Sequence, residues 1–334
     1  MCNIAGYLGK KQAAPILLEM LRRQAPYDGD MSTGVATIHE GKLYYRKIVG
    51  DVDTLIRETD VLDLPGTMGI AHTRPSRSEP EKPFHPFLNM EQTMALVTNG
   101  TTPETQYTPR WYQAIQALTD AGYTFRHPTQ SGVAVAEGRV LRIDQFMKQG
   151  KTITQALDLT CADFYSDNVT VMIHENYPDR IFALRTTRPM NVIMENGETY
   201  MATCRYGFPE HLQNDPVMLP LFNACIITRD GIQITADRMD MEPVSEMTPY
   251  TYAEAYKRIE SILKSEKAPL FFDELELALN DMRDLWPGDH TCVQHARLLY
   301  DLLWQFDQEG RLQREMRVQP RQGSQRHRWY FSLN

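Results

Sequence analysis

A chain of 334 residues, 42% of them hydrophobic, can form one large domain and a small one with a sizeable core. Its formal net charge of −8 gives the whole chain no electrostatic attraction to nucleic acid, and no run of about 18 apolar residues predicts a membrane span. The five cysteines have no CxxC spacing and the nine histidines no HExxH spacing, so neither disulfides nor a metal site is indicated, and no cofactor is expected. These features favour a reducing, cytoplasmic location.

Residues 1–240 are predicted to form a layered α+β domain, because strands dominate this stretch and helices are spaced between them. An apolar strand follows Cys2 directly, and apolar residues at helical spacing predict a helix from Gln12 to Arg23. Asn99-Gly100 stops the apolar strand at 94–98. Further strands are predicted at 34–38, 43–45, 67–74, 169–173, 181–184, 224–227 and 232–234, and further helices at 51–59, 111–121 and 152–164.

The composition changes near residue 240. Residues 241–251 are predicted to be a linker, and 252–334 a small winged-helix-like domain, since three helices precede two strand-like runs at 312–318 and 329–333. The last 24 residues hold six arginines against one acid, a set that could contact phosphates. The helix that would contact the DNA bases, however, carries acidic side chains, which are poorly suited to bind base edges. Dimerisation or docking to a partner protein is therefore favoured over nucleic-acid binding.

Cys2 is a candidate nucleophile. If Met1 is removed, Cys2 carries a thiol and a free α-amino group, whose unperturbed pKa is about 7.7–8.0. The neutral amine can take the thiol proton, directly or through one water, and return it to a leaving group, so that one residue supplies nucleophile and base. From position alone, the alternative is a small buried hydrophobic residue near the terminus.

Three downstream positions fit an amidase with an N-terminal cysteine. Arg74 closes a strand with a guanidinium that can hold a carboxylate bidentately, and its alternative is a surface salt bridge. His85 lies in a tight apolar loop, where a structural histidine is the alternative. The Asn99 side-chain amide and the Gly100 backbone N–H can donate to a developing oxyanion, each donor being worth about 3–4 kcal/mol, although Asn-Gly is also an ordinary turn.

In this order, these motifs resemble those of class II glutamine amidotransferases, which are N-terminal-nucleophile (Ntn) hydrolases, and in particular the glutaminase domain of glucosamine-6-phosphate synthase. The resemblance covers roughly residues 2–240. Its motifs are Cys2-Asn3-Ile4-Ala5-Gly6-Tyr7, residues 16–23, Gly69-Ile70-Ala71-His72-Thr73-Arg74, His85-Pro86, Asn99-Gly100 and Gly122-Tyr123-Thr124-Phe125. It implies a four-layer αββα sandwich, with Cys2 as nucleophile and base, Asn99 and Gly100 as the oxyanion hole, and Arg74 as the ligand of the substrate α-carboxylate.

The chain departs from the family pattern at several of these positions. Asp28 stands where the family has an arginine, and the loop after Arg74 differs, with Arg77 as a candidate second carboxylate ligand. The family's acid for the glutamine α-ammonium aligns with Gln130. Because a neutral amide cannot make the charge-assisted bond of a carboxylate, free glutamine is in doubt as the substrate, and a γ-glutamyl compound is an alternative. His85 and Gln130 are therefore retained as candidate substrate-binding residues beside the two arginines.

Two functions follow. The first is a stand-alone amidohydrolase of the class II glutamine amidotransferase type, in which Cys2 attacks a side-chain amide and ammonia or an amine is released or passed to a separate acceptor protein. The second is a catalytically degenerate sensor that binds a small amide and signals through the C-terminal winged-helix-like module to DNA or to a protein partner. Formation of a homo-oligomer is compatible with both functions.

Overall fold

The computed structural model describes residues 2–74, 84–101, 108–129, 132–238, 247–266, 268–286, 293–321 and 324–334. The helices are α1 (Ala13–Gln24), α2 (Val52–Glu58), α3 (Pro109–Asp120), α4 (Val135–Lys148), α5 (Ile153–Asp163), α6 (Pro249–Ser265), α7 (Phe272–Asp281) and α8 (His295–Gln308). The strands are β1 (Asn3–Leu8), β2 (Ser32–His39), β3 (Lys42–Val49), β4 (Met68–Thr73), β5 (Phe87–Leu88), β6 (Met94–Thr101), β7 (Pro128–Thr129), β8 (Gly132–Val133), β9 (Asp167–His174), β10 (Ile181–Arg185), β11 (Asn191–Glu195), β12 (Glu198–Ala202), β13 (Val217–Met218), β14 (Asn223–Ile227), β15 (Ile232–Arg238), β16 (Leu270–Phe271), β17 (Leu312–Arg321) and β18 (Ser324–Leu333).

Two sheets form the centre of the molecule. One has the strand order β13-β11-β12-β1-β4-β2-β3, and the other has the order β15-β14-β10-β9-β6-β5. Aliphatic side chains fill the space between the sheets, including Ile4 and Ile70 from the first and Val97 and Val171 from the second. This packing explains why β1 is buried along its whole length.

Helices cover the outer face of each sheet. Leu17 and Leu21 of α1 pack with residues of the first sheet, such as Tyr7. On the other side, Trp111 of α3 and Leu157 of α5 belong to the cluster that covers the second sheet. The described residues are thus arranged in the helix, sheet, sheet, helix order that the resemblance implies.

Helix α4 was not predicted, although it packs in the same outer layer as α3 and α5. Its burial extends around most of its circumference and includes the charged residues Glu137, Arg139 and Asp144. A helix that is buried on several sides has no single apolar stripe, so its sequence shows little helical periodicity.

The C-terminal elements form a three-helix layer, α6 to α8, on a sheet of order β16-β18-β17. The linker prediction is corrected at its end. Residues 249–251 begin α6 instead, because the Thr248 side chain caps the Thr251 backbone N–H and Pro249 occupies the first turn. Residues 239–246 lie outside the described part of the chain. Among the described residues, no helix has both the length and the apolarity needed to cross a bilayer.

Candidate active site

Cys2 lies at the start of the central strand of the first sheet. Strand β1 pairs with β4 on one side and with β12 on the other. The Ile4 backbone N–H also donates to the Thr203 hydroxyl over 2.8 Å, and the Thr203 N–H donates back to the Ile4 carbonyl over 3.2 Å. The strand behind the thiol is therefore held rigidly, whereas Cys2 itself is partly exposed.

Asn99 reaches Cys2 from the second sheet. Its side-chain amide, on β6, donates to the Cys2 carbonyl oxygen over 2.7 Å, and only 1% of Asn99 is exposed. An asparagine amide has two N–H donors, so this bond leaves one for another acceptor. The fold thus joins two predicted site residues that are 97 positions apart in the chain.

Gly100 has a backbone conformation that few other residues tolerate. Its φ is +152°, and a Cβ atom at this position would overlap the backbone oxygen of Asp167 on the neighbouring strand β9. Gly100 also pairs with Asn168 of β9, so β6 continues through Asn99 and Gly100 to Thr101 and does not stop at residue 98 as predicted. The packing against β9 therefore requires glycine at position 100, and Asn99-Gly100 is not an ordinary turn.

The loop with Asp28 and Gly29 lies against the residue that follows the candidate nucleophile. Buried Asn3 donates its side-chain amide to the Asp28 carbonyl oxygen and, over 3.4 Å, to the Thr73 hydroxyl. Gly29 has φ +102°, and a Cβ there would lie 2.7 Å from the Asn3 amide nitrogen. The Asp28 carboxylate accepts from the Gly29 N–H over 2.7 Å, so it stabilises its own turn. Sequence reasoning identified Asp28 only as a departure and did not assign this supporting contact to Asn3.

Arg74 follows β4 directly. Its backbone N–H donates to the Ser32 carbonyl over 3.0 Å, and its own carbonyl accepts from the Met31 N–H over 3.3 Å. Its charge contributes to lowering the pKa of His72 and of His85, which places the guanidinium near both rings. The role of Arg74 as a carboxylate ligand stays a prediction, and Arg77 lies outside the described residues.

His85 and His72 form a buried pair of rings. The ring centroids are 3.9 Å apart. His72 Nε2 donates to the Thr98 carbonyl over 3.0 Å, and His85 Nε2 lies 3.2 Å from the Thr98 hydroxyl. Burial, and then the Arg74 charge, lower the pKa of His72 to about 3, and burial followed by the charges of His72 and Arg74 lowers the pKa of His85 as well. Both rings are therefore neutral near pH 7, and His85 remains a predicted substrate-binding residue without a positive charge.

Gln130 also lies outside the described residues. The buried Glu137 carboxylate accepts from the backbone N–H groups of Arg126 and His127 over 2.8 and 2.9 Å, just before it in the chain. This carboxylate orders the segment that leads to Gln130. Among the residues that the structure describes, no group of three or more His, Cys, Asp or Glu side chains could hold a metal ion.

The C-terminal elements contact the chain on both sides of Cys2. On one side, Arg328 of β18 donates to the Ala25 carbonyl over 2.8 Å and pairs with Asp30 over 2.8 Å, so it holds the loop that contains Asp28. On the other side, Glu276 of α7 pairs with Arg188 over 3.0 Å. Arg188 in turn pairs with Asp167, which lies opposite Thr101 at the end of the Asn99 strand. Neither set of contacts was predicted from the sequence, because no short motif indicates them.

No protein-family model matches the chain. In sequence, it is similar to the glutamine–fructose-6-phosphate aminotransferase (isomerizing) of Caldanaerobacter subterraneus subsp. tengcongensis, with 32% identity over 235 residues, 70% of this chain and 36% of that protein. The corresponding aminotransferase of Pyrococcus horikoshii is 28% identical over 205 residues, 61% of this chain and 32% of that protein. The chain spans about a third of the length of these curated relatives.

Solved structures agree in fold. The glutamine phosphoribosylpyrophosphate amidotransferase of B. subtilis, complexed with ADP and GMP, superposes with a TM-score of 0.61 at 17% identity, over 80% of this chain and 59% of that one. A glutamine aminotransferase class-II domain protein from Silicibacter pomeroyi superposes with a TM-score of 0.51 at 13% identity, over 72% of this chain and all of that one. The resemblance stated from the motifs is thus confirmed: the chain contains a domain that is similar to those of class II glutamine amidotransferases.

Proposed function

We propose that the chain hydrolyses a side-chain amide of glutamine or of a γ-glutamyl compound, with Cys2 as the nucleophile. The observation that carries the proposal is the 2.7 Å hydrogen bond from the Asn99 amide to the Cys2 carbonyl. It places a buried amide donor beside the backbone of the partly exposed residue Cys2, at the start of a rigid strand. The reaction requires removal of Met1, which frees the Cys2 α-amine.

The proposed reaction has two steps. The α-amine accepts the thiol proton, and the Cys2 sulfur attacks the amide carbonyl carbon while Asn99 and Gly100 donate to the oxyanion. The intermediate expels ammonia or an amine, which takes up the proton, and leaves a thioester on Cys2. Water then attacks the thioester, which restores the thiol and releases the carboxylic acid.

Substrate recognition is proposed for the residues around the thiol. Arg74 and Arg77 bind the α-carboxylate, while His85 and Gln130 line the same site and supply neutral groups. Since no carboxylate stands at position 130, the proposed substrates include amides whose α-amine is acylated or otherwise uncharged. The ammonia is released or passed to a separate protein.

We propose that residues 1–240 form the amidase domain and that the C-terminal residues from α6 onward form a winged-helix-like domain, reached through a linker that ends before α6 begins at Pro249. The order of three helices and a sheet with β16 beside β18 supports this interpretation. Cytoplasmic location and formation of a homo-oligomer stay predictions.

The packing of α8 argues against the alternative function, a sensor that signals to DNA. This helix would enter DNA in a DNA-binding winged helix. Here its Tyr300 ring lies 6.0 Å from that of Tyr27, and its Trp304 ring lies 5.4 Å from that of Tyr206. Since α8 already packs on the amidase domain, we propose that the module stabilises that domain or docks a protein partner.

Intact-mass spectrometry with 6-diazo-5-oxo-L-norleucine, a glutamine-like electrophile, tests the proposed nucleophile. We expect loss of Met1 and one adduct, absent from Cys2→Ala. Burial raises the pKa of the other described thiols, to about 11 for Cys161 and Cys225 and to about 12 for Cys204, so these react slowly at pH 7.

Cys292→Ser is the control for the cysteine outside the described residues, and it should keep the adduct. Retention of Met1, or a free Cys2 that never reacts, would contradict the proposal. An adduct on Cys2 without turnover of any γ-amide would favour the sensor.

A further inference from the structure

A cavity of about 560 Å³ lies between the amidase domain and the C-terminal elements. The end of α1, the segment 205–216, Trp304 of α8 and Trp329 of β18 form its walls. Its volume falls in the range of about 300–1,000 Å³ that is typical of small-molecule sites. The residues described above around Cys2 do not line it, so this cavity is separate from the candidate active site.

Arginines dominate the charge of the cavity. It is lined by Arg22, Arg23, Arg205 and Arg314, against the two acids Glu210 and Asp215, while Arg22 and Arg314 also pair with Asp53 and Asp307, which are not part of the lining. Both acids are highly exposed, with 85% of the Glu210 side chain and 98% of the Asp215 side chain accessible to solvent. Ion pairs with such exposed carboxylates contribute little, so a bound anion can replace them.

Among these arginines, Arg205 has the more exposed carboxylate partner. Its ion-pair partner Asp215 lies 3.6 Å away. The guanidinium also lies over the Trp304 ring, 5.5 Å from its centroid. Arg205 is thus held by an aromatic surface where it lines the cavity, and a phosphate or carboxylate bound there could accept two of its N–H donors.

Aromatic rings form the other part of the lining. The Arg314 guanidinium lies 5.2 Å from the Tyr206 ring and 6.0 Å from the Trp329 ring. The Tyr206 hydroxyl is buried and has no hydrogen-bond partner in the described structure. Flat rings beside guanidinium groups favour a ligand that combines a flat ring with a negative charge.

We propose that this cavity binds a small anion that carries an aromatic or heteroaromatic ring, with Arg205 as the ligand of its phosphate or carboxylate and Trp304 and Trp329 beside its ring. Binding to this cavity does not require amidase activity, so this proposal does not depend on the proposed function.

Titration of the full chain tests the proposal. The probes are adenosine 5′-monophosphate and benzoate, each a ring that bears an anion, and the comparisons are adenosine and inorganic phosphate. Two of the chain's four tryptophans line the cavity, so tryptophan fluorescence reports binding alongside calorimetry. We expect at least one ring-bearing anion to bind saturably, and adenosine 5′-monophosphate to bind at least tenfold more tightly than adenosine or phosphate.

Variants locate the site. Arg205→Gln should weaken binding at least tenfold, and Trp304→Phe should reduce the fluorescence change. Arg180→Gln is the matched control, because Arg180 also pairs with a carboxylate, Asp179, and lies 5.8 Å from the Tyr177 ring, but outside the cavity. No binding of either ring-bearing anion, or binding that Arg205→Gln leaves intact while the variant is folded by circular dichroism, would overturn the proposal.

Discussion

Arg188, which follows β10, and Glu276 of α7 form an ion pair of 3.0 Å in which both side chains are 8% exposed. Arg188 also lies 2.6 Å from Asp167, so one guanidinium is shared by two buried carboxylates. Burial by itself raises the pKa of Glu276, but the hydrogen bond from His295 and the Arg188 charge outweigh it, and the net pKa is lowered. The C-terminal elements are thus joined to the two-sheet sandwich by buried charges, and separating the two parts would leave these charges without their partners.

Arg188→Met should destabilise the chain, because it leaves the Asp167 and Glu276 carboxylates buried without their cation. Removing one partner from such a network costs about 3–5 kcal/mol in unfolding free energy. Urea denaturation measures the loss. Combining Arg188→Met with Glu276→Gln should cost less than the sum of the two single changes, whereas strict additivity would show that the pair is not coupled.

Asn99→Asp should lower kcat by about 10²–10³-fold with little change in KM, because the substitution keeps the side-chain shape and removes the N–H donors proposed for the oxyanion. The carboxylate would also face the Cys2 carbonyl oxygen that now accepts from Asn99 over 2.7 Å. Steady-state kinetics with the best γ-amide measures the effect. Unchanged kcat in a folded Asn99→Asp chain would exclude Asn99 as an oxyanion donor.

Gly100→Ala should destabilise the chain by more than about 2 kcal/mol, because the added methyl overlaps the Asp167 backbone oxygen and the residue has a positive φ. Gly150→Ala is the matched control. Its φ is +85°, but a Cβ there meets nothing within 4 Å, so it should cost only the backbone penalty of about 1–2 kcal/mol. Equal losses of unfolding free energy in the two variants would contradict the steric explanation.

Glu198 should give the fold an acid-sensitive contact. The hydroxyls of Tyr7 and Tyr200 donate to this carboxylate over 2.6 and 2.8 Å. Burial raises its pKa, but these hydrogen bonds outweigh burial and lower it from 4.5 to about 2. A carboxyl with a lower pKa in the folded state stabilises the fold above pH 4.5, and this stability is lost as the pH falls toward 2.

The free energy of unfolding of Glu198→Gln should therefore be lower than that of the wild type at pH 7, by at least about 1.5 kcal/mol. It should also depend less on pH between 4.5 and about 2. Urea denaturation at a series of pH values is the measurement. The exposed Glu58→Gln serves as the control. A wild-type stability that stays constant down to pH 2 would contradict the assignment.

The basic C-terminal strands should not bind duplex DNA at physiological salt. Two of their arginines already pair, within the described part of the chain, with carboxylates that are mostly covered: Arg314 lies 2.8 Å from Asp307, which is 24% exposed, and Arg328 lies 2.8 Å from Asp30, which is 11% exposed. We expect no saturable binding below about 100 μM in fluorescence anisotropy. Binding that weakens steeply with salt and is reduced by Arg317→Gln would show instead that the strands contact phosphates.

Local chemistry made several features predictable. A thiol before an apolar strand, Asn-Gly at a strand end and helical spacing from Gln12 to Arg23 are signals within a few residues, and their order supported the amidotransferase resemblance. The structure places Asn99 beside Cys2 and forms α1 at Ala13–Gln24. By contrast, α4 could not be recognised, because burial on several sides removes the periodicity that distinguishes a helix in sequence.

The sequence by itself determined the fold class, the candidate nucleophile and the candidate oxyanion donors, because these depend on residue type and short spacing. Only the tertiary structure decided which residues support them. The contact of Asn3 with the Asp28 loop, the sharing of Arg188 between Asp167 and Glu276, and the packing of α8 on Tyr27 and Tyr206 join segments far apart in the chain. Such contacts depend on how the layers pack, and no local pattern of residues encodes that packing.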